Sequence, residues 1–123
     1  MNIVPTFPVT ELIDRYLIAE IKHEKSGQNI IELEFYQKQI AAFDMEKVGI
    51  LMQELKNIHL AIWDLEKELK TGTEQDLPLE EIGRRAIAIR NKNSERLSCK
   101  NKIAEILHCH VREFKLDHLS ERQ

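Results

Sequence analysis

The sequence predicts an all-α fold, an antiparallel helical bundle of three long helices plus a shorter one. Helix breakers are scarce, with four Gly and three Pro among 123 residues, while Leu, Ile, Glu and Lys are abundant. Apolar residues recur at alternating spacings of three and four along two long segments. The connections are short, and long helices joined by short loops pack antiparallel. We expect a single domain over 1–123, because this length can bury one hydrophobic core.

The first part of the chain predicts one long and one shorter helix. Residues 1–8, which include "IVPTFP", are expected to be irregular or extended. Thr10 is a candidate N-cap for a helix that runs to about Lys25. The stretch "SGQN" then breaks the chain. The shorter helix is expected from Ile30 to Phe43.

The third helix carries the most regular apolar pattern in the sequence. Asp44 is expected to cap it, and it should run from Met45 to about Lys70. The simplest interpretation places its apolar seam in the core of one chain. A bundle of unequal helices often leaves an apolar stripe uncovered, so the seam could instead form a coiled coil between two chains. Trp63, beside the seam, could likewise belong to the core or to such an interface. We expect the protein to be a homodimer. The seam is a heptad pattern formed by Val48, Leu51, Leu55, Ile58, Ile62, Leu65 and Leu69.

A fourth helix is expected after the loop "TGTEQDLP", with Pro78 at its first position and its end near Lys115. Its stripe is interrupted by polar residues, because Asn93, Arg96 and Lys100 fall within about 40° of the centre of the apolar face. The whole stripe consists of Ile82, Ala86, Ile89, Asn93, Arg96, Lys100, Ile103, Leu107, His110 and Phe114.

Opposite charges interrupt the buried face of the first helix, where Glu20 and Glu24 continue the direction set by Ile13 and Leu17. Burying a lone charge costs several kcal/mol, so unpaired charges are unfavourable at such positions. We therefore expect a charged inner layer between the helices, in which the carboxylates of Glu20, Glu24 and Glu66 face Arg96 and Lys100. This layer is either an ion-pair network that fixes helix register or a partly open ligand site. The candidate ligand-binding residues are Glu20, Glu24, His59, Glu66, Asn93, Arg96 and Lys100.

Three segments of the chain form a set of motifs: "ELIDRYLIAEIKHEK", "IWDLEKELK" and "NSERLSCKNKI". In this order they resemble the motifs of a small bacterial family of all-helical domains without an established activity. The chain departs from the family pattern at His59, Lys67 and Ala104. The resemblance implies an association with surface-polysaccharide metabolism. The matching positions are Glu11, Leu12, Ile13, Asp14, Glu20, Ile21, Lys22, Glu24, Trp63, Glu66, Asn93, Arg96, Lys100 and Ile103.

Charge and composition narrow the partners and the compartment. Residues 1–77 hold 8 Lys/Arg against 14 Asp/Glu, and residues 78–123 hold 10 against 7, so the halves can neutralise each other and nucleic-acid binding is not expected. No apolar run could span a membrane and no secretory leader is recognisable, so we expect a cytoplasmic protein. Cys99 and Cys109 are expected to be reduced helix residues.

Metal and catalytic motifs are weak. The Glu-x-x-His pair Glu105/His108 is predicted to face away from the core, so no dimetal site is expected. A single-metal site at His59, Glu20 and Glu66 would be opposed by the adjacent cations, and no metal or cofactor is expected. No nucleophile motif or phosphate loop is present.

We therefore expect a non-enzymatic binding or accessory module that takes an anionic group, such as a phosphate or sugar nucleotide, at Arg96 and Lys100. One alternative is a small enzyme that uses Glu20 and Glu66 as acid–base groups. The other is a purely structural oligomerisation protein, in which the charged layer only sets helix register.

Overall fold

A computed structural model describes residues 7–70 and 77–109, and within these ranges all regular secondary structure is helical. The all-α prediction is therefore confirmed for this part of the chain. The described residues contain four α-helices: α1 (Val9–Ser26), α2 (Ile30–Ile40), α3 (Gly49–Lys70) and α4 (Leu79–Ile106). A short 3₁₀ helix, Met45–Val48, precedes α3.

The first helix begins before the predicted cap. Pro8 occupies the N-cap position in an extended conformation, and its carbonyl oxygen accepts the backbone N–H groups of Glu11 and Leu12, each at 3.0 Å. Thr10 is instead buried in the first turn, so its prediction as the cap was wrong. Gly27 ends the helix in the left-handed region, at a φ of 69°. An L side chain is disfavoured there, which explains why glycine suits this end.

The two central boundaries also differ from the prediction. Helix α2 ends at Ile40 rather than Phe43, and the segment expected to open the third helix is a 3₁₀ turn. Asp44 stands before that turn but makes no side-chain capping hydrogen bond. The 3₁₀ turn, which winds more tightly than an α-helix, therefore precedes α3 without a side-chain cap. Such turns are common at the ends of α-helices.

Helix α4 ends at Ile106, well before the predicted end near Lys115. His108 adopts a left-handed φ of 57°, and its N–H donates to the carbonyl of Glu105 at 3.2 Å. The N–H of Cys109 donates to the carbonyl of Ala104 at 2.7 Å, which completes a Schellman-type C-cap. Sequence periodicity missed this end because the motif contains neither Gly nor Pro. The predicted stripe positions His110 and Phe114 lie outside the described residues.

The core lies where α1 meets the first turns of α3 and the last turns of α4. Helices α3 and α4 make the most extensive contact, and α1 packs against the other three helices. Most of the predicted heptad seam contributes to this core: Val48, Leu55 and Ile62 are buried, and Leu51, Ile58 and Leu65 are half-buried. The side chain of Leu69 lies outside the described part. The buried cluster consists of Val9, Leu12, Ile13, Leu17, Ile40, Val48, Leu55, Cys99 and Ile103.

The first half of α4 is much less covered than its second half. Leu79 exposes 86% of its surface and Ile87 exposes 52%. The buried positions of the helix start at Cys99, which donates a hydrogen bond from its Sγ to the carbonyl of Leu51 at 3.3 Å. Among the described residues, no helix has both the length and the apolar character needed to cross a membrane.

Two glycines should respond to alanine in opposite directions. At Gly27 the left-handed backbone should make alanine destabilising by about 1 kcal/mol. Gly83 lies within α4, and a Cβ there would meet nothing within 4 Å. Alanine at Gly83 should therefore raise the free energy of unfolding by about 0.8 kcal/mol, through helix propensity alone. Chemical denaturation of Gly27→Ala and Gly83→Ala tests both, and shifts of the same sign would contradict the assigned end of α1.

Candidate functional site

The centre of the candidate site is the carboxylate of Asp14, which joins three helices. Asp14 lies on α1 and is only 5% exposed. Its Oδ1 accepts a hydrogen bond from Nε2 of His59 on α3 at 2.7 Å. Its Oδ2 accepts a hydrogen bond from Nη1 of Arg96 on α4 at 3.1 Å. One buried side chain therefore ties α1 to both long helices.

Lys100 adds a second cation on the inner side of this arrangement. It is 3% exposed, and its Nζ lies 3.4 Å from Oε2 of Glu11 and 3.7 Å from Oδ2 of Asp14. A buried ammonium is costly unless carboxylates compensate it, and here two do so from the same face of α1. The interruption of the α4 stripe at Lys100 is thus explained by charge compensation within the chain.

These contacts determine the protonation of the central carboxyl. Burial by itself raises the pKa of Asp14, because an ionised carboxylate loses hydration. The hydrogen bond and charge of His59, together with the cations of α4, outweigh burial and hold the pKa below its ordinary value. Asp14 is therefore ionised at neutral pH, and Nε2 of His59 must be the donor, since an ionised carboxylate can only accept.

A pocket of about 270 Å³ opens beside this network, between α1, α3 and α4. Its lining includes His59 and Arg96, the two partners of Asp14. Most of the other lining side chains are apolar, and a mainly apolar lining with a few polar groups is typical of small-molecule sites. The complete lining is Ile18, Ile21, His59, Ile62, Trp63, Glu66, Asn93 and Arg96.

Two further recesses flank α1 and α3. One of about 350 Å³ lies between α1 and α2 and includes Asp14 and Tyr36. The other, of about 420 Å³, is lined by Lys25, Trp63, Glu66 and Lys67. Since it shares Trp63 and Glu66 with the 270 Å³ pocket, those two residues stand at the boundary between neighbouring recesses.

The pairing predicted for the carboxylates of α1 was wrong. Glu20 and Glu24 were expected to face Arg96 and Lys100, but both instead contact Nζ of Lys56 on α3, at 2.7 and 2.6 Å. Lys56 was not considered in the sequence pattern, because it lies outside the apolar seam of its helix. The acids that do face the α4 cations, Glu11 and Asp14, lie at least about two turns nearer the N-terminus of α1.

The Lys56 cluster has its own electrostatics. The Oη of Tyr16 donates to Oε2 of Glu20 at 2.7 Å, and burial followed by this hydrogen bond raises the pKa of Tyr16 to about 12. Burial raises the pKa of Glu20, but the hydrogen bonds from Lys56 and Tyr16 lower it by more than burial raises it. The net shift of this pKa is therefore downward. For Lys56, burial lowers the pKa and the two carboxylates more than reverse this, so its net shift is upward. Glu20 and Lys56 are therefore both held in their charged forms.

The structure thus divides the predicted ligand residues into three places. His59, Glu66, Asn93 and Arg96 line one pocket. Lys100 lies within the buried network and is absent from that lining. Glu20 and Glu24 belong to the separate Lys56 cluster described above.

The central residue, Asp14, was missing from the predicted site. A signal for it exists in the sequence, since Asp14 lies three and seven positions before Leu17 and Ile21, both of which are buried. That spacing places a carboxylate on a helix face that packs inward. Asp14 also lies in the first motif of the resemblance, where its type matched but no role was assigned.

Metal-ion geometry is not found in the part of the chain described. Across residues 7–70 and 77–109, no group of three or more His, Cys, Asp or Glu side chains is arranged to hold a metal ion. The polar side chains that line the pocket are those of His59, Glu66, Asn93 and Arg96.

Comparison of the chain with models of protein families, with curated proteins and with solved structures gave no match. The resemblance to a bacterial helical family stays a prediction, and the function has to be inferred from the geometry of the site.

Neutralising Asp14 should destabilise the protein far more than neutralising Glu20. Asp14→Asn removes the negative charge beside a buried lysine, and breaking a buried ion pair costs about 3 kcal/mol. Glu20→Gln changes a more exposed pair and should cost about 1 kcal/mol or less. Urea titration of both variants measures the two changes in the free energy of unfolding. Similar costs would contradict the central role of Asp14, and failure of the Asp14 variant alone to fold would agree with it.

The decrease in the free energy of unfolding at acid pH should depend on Asp14. Since its pKa is lower in the folded than in the unfolded state, ionised Asp14 stabilises the fold above its ordinary pKa of 3.8. This contribution is lost as the pH falls through the folded-state value. The difference in unfolding free energy between the native protein and Asp14→Asn should therefore shrink steadily below about pH 4. A difference that stays constant from neutral to acid pH would contradict the assigned shift.

Proposed function

We propose that the protein is a non-enzymatic binding module whose pocket between α1, α3 and α4 takes an anionic small molecule. The observation that carries this proposal is the composition of the 270 Å³ pocket. Its lining combines the imidazole of His59 and the guanidinium of Arg96 with three isoleucine side chains. Such a site orients a ligand by its charged group and buries its apolar part.

Arg96 suits an anion because a guanidinium carries several N–H donors in a planar fork. Its Nη1 is directed to Asp14, which fixes the plane and position of the group. A guanidinium held in this way loses little conformational freedom when it also binds a carboxylate or phosphate oxygen. Asn93, which lines the same pocket, can donate an amide N–H to that oxygen.

The enzyme alternative has less support from the geometry. Glu66 lines the pocket, but Glu20 is held by Lys56 and Tyr16 and is absent from the lining. The lowered pKa of Glu20 also favours the carboxylate, which cannot serve as a general acid at neutral pH. The proposed pair of acid–base groups is therefore not brought together.

The structural alternative accounts for the buried half of the polar layer. Lys100, Glu11 and Asp14 form contacts within the chain that fix how α4 lies on α1. We propose that this network is the support and the pocket is the site. The same carboxylate of Asp14 serves both, because it anchors the two basic residues that reach the pocket.

We also propose that consecutive helices run antiparallel and form a bundle. Late in α1, Lys22 pairs with Glu32, which lies early in α2, at 3.4 Å. Cys99, late in α4, bonds to the carbonyl of Leu51, which lies early in α3. Both contacts join the end of one helix to the start of another, as antiparallel neighbours require.

For the assembly and compartment, a cytoplasmic homodimer remains our proposal. The apolar side chains Leu79 and Ile87 on the thinly covered half of α4 support a self-association surface. Nucleic-acid binding has little support, because Arg84 and Arg85 make ion pairs with Glu81 of their own helix. A neutralised helix face attracts phosphate backbones weakly.

Anion binding should stabilise the protein, and pocket variants should abolish the effect. Thermal unfolding measured against phosphate, nucleotides, sugar nucleotides and simple carboxylates should show a concentration-dependent rise for one class, about 2.7 kcal/mol at a hundredfold excess over Kd. Asn93→Asp should remove this rise, because it adds a negative charge to the pocket lining while leaving Asp14 in place. The affinity of Asn93→Asp for the anion should be more than about tenfold lower than that of the native protein.

Arg96→Gln tests the guanidinium directly, and Arg90→Gln is its control, since Arg90 is an exposed residue of the same helix. Arg96→Gln should abolish stabilisation by the anion, whereas Arg90→Gln should retain it. No stabilisation by any anion, or equal loss in both variants, would overturn the proposed function.

A further inference from the structure

Trp63 has a position that the anion site does not explain. It is 36% exposed and lines both the 270 Å³ pocket and the neighbouring 420 Å³ recess. A tryptophan used only for the core would be covered more fully, since its ring carries a large apolar surface. Here a large ring stands at the boundary of two open recesses, a short distance along α3 from His59.

The face of this ring is available for interaction. The Nζ of Lys25 lies over it, 5.6 Å from the ring centroid, and lines the outer recess. The ring therefore presents a π-face towards the outer recess, where the end of a long, flexible type of side chain contacts it. A planar ligand ring can stack on such a face, and this kind of contact is frequent in the recognition of nucleobases.

The group beside the ring narrows the ligand further. Glu66 lines both recesses, as Trp63 does. An ionised carboxylate only accepts hydrogen bonds, so it favours a ring that carries N–H or amino donors over a plain hydrocarbon ring. The two recesses together also provide several hundred Å³, which is about the size of common small-molecule sites.

We propose that the ligand is a nucleotide. Its base stacks on Trp63 and donates an N–H to Glu66, while its phosphate lies at the Arg96 end of the pocket. This assignment rests on the proposed anion site and adds to it the chemical class of the ligand. The lysine side chain over the ring moves aside when the base binds.

The chain offers a direct readout of this contact, because Trp63 is its single tryptophan. Selective excitation of tryptophan therefore reports on the boundary between the two recesses. Fluorescence and calorimetric titrations would compare AMP, UMP, inorganic phosphate, adenosine and benzoate on the full chain. A nucleotide should change the tryptophan emission and bind at least about tenfold more tightly than phosphate, the gain expected for one stacked base.

Two variants separate the ring from the anion site. Trp63→Leu keeps an apolar side chain but removes the ring, and should lower nucleotide affinity at least about tenfold, to the affinity that the same variant has for phosphate. Ile50→Ala is the control, since Ile50 is an exposed residue at the start of the same helix. Calorimetry measures the affinity of both variants for nucleotide and for phosphate, and circular dichroism verifies that each variant remains helical.

The outcomes distinguish the two proposals. Equal affinity for nucleotide and phosphate would overturn the nucleotide assignment while leaving the anion site intact. Benzoate binding as tightly as AMP would also overturn it, because a ring without N–H donors would then suffice. Nucleotide binding that Trp63→Leu leaves unchanged would do the same. Absence of binding by every probe would overturn both proposals.

Discussion

The buried carboxylate of Asp14 is the interaction on which the rest of the structure depends. It reaches His59 and Arg96 directly and lies within 3.7 Å of Lys100, so one anion compensates basic groups from two helices. Removing charges from water costs free energy that mutual attraction returns only when the geometry is good and the partners are hydrogen-bonded. A shift of α4 by one residue would separate these partners and leave a lysine buried beside no acid. The register of the three helices is therefore tied to the network.

The pocket is a consequence of that network. His59 and Arg96 are held by Asp14 on one side and border the open volume on the other. Their positions are fixed before any ligand arrives, which reduces the ordering cost of binding. The apolar part of the lining comes from isoleucines of α1 and α3. The ion pairs of Asp14 thus hold two of the polar groups that line the pocket.

A second charge cluster gives the α1–α3 contact its own polar edge. Lys56 holds Glu20 and Glu24, and its side chain is partly covered by them. The two clusters lie on different sides of α1, so its acids are shared between two partner helices rather than directed to one. The network at Asp14 is buried and its loss is costly, whereas the Lys56 cluster is more exposed and water can replace part of its interaction energy.

The sequence by itself determined the helical class, the approximate positions of four helices, the apolar seam of α3 and the inward direction of Arg96 and Lys100. These follow from periodicity and breakers, which are local properties. Helix ends were less accurate, because the Pro8 start and the left-handed His108 lack the usual cap residues. The tertiary structure alone decided which carboxylate meets which cation. Several acids on α1 lie within reach of a partner helix, and only the crossing of the helices selects Asp14 for Arg96 and assigns Glu20 to Lys56.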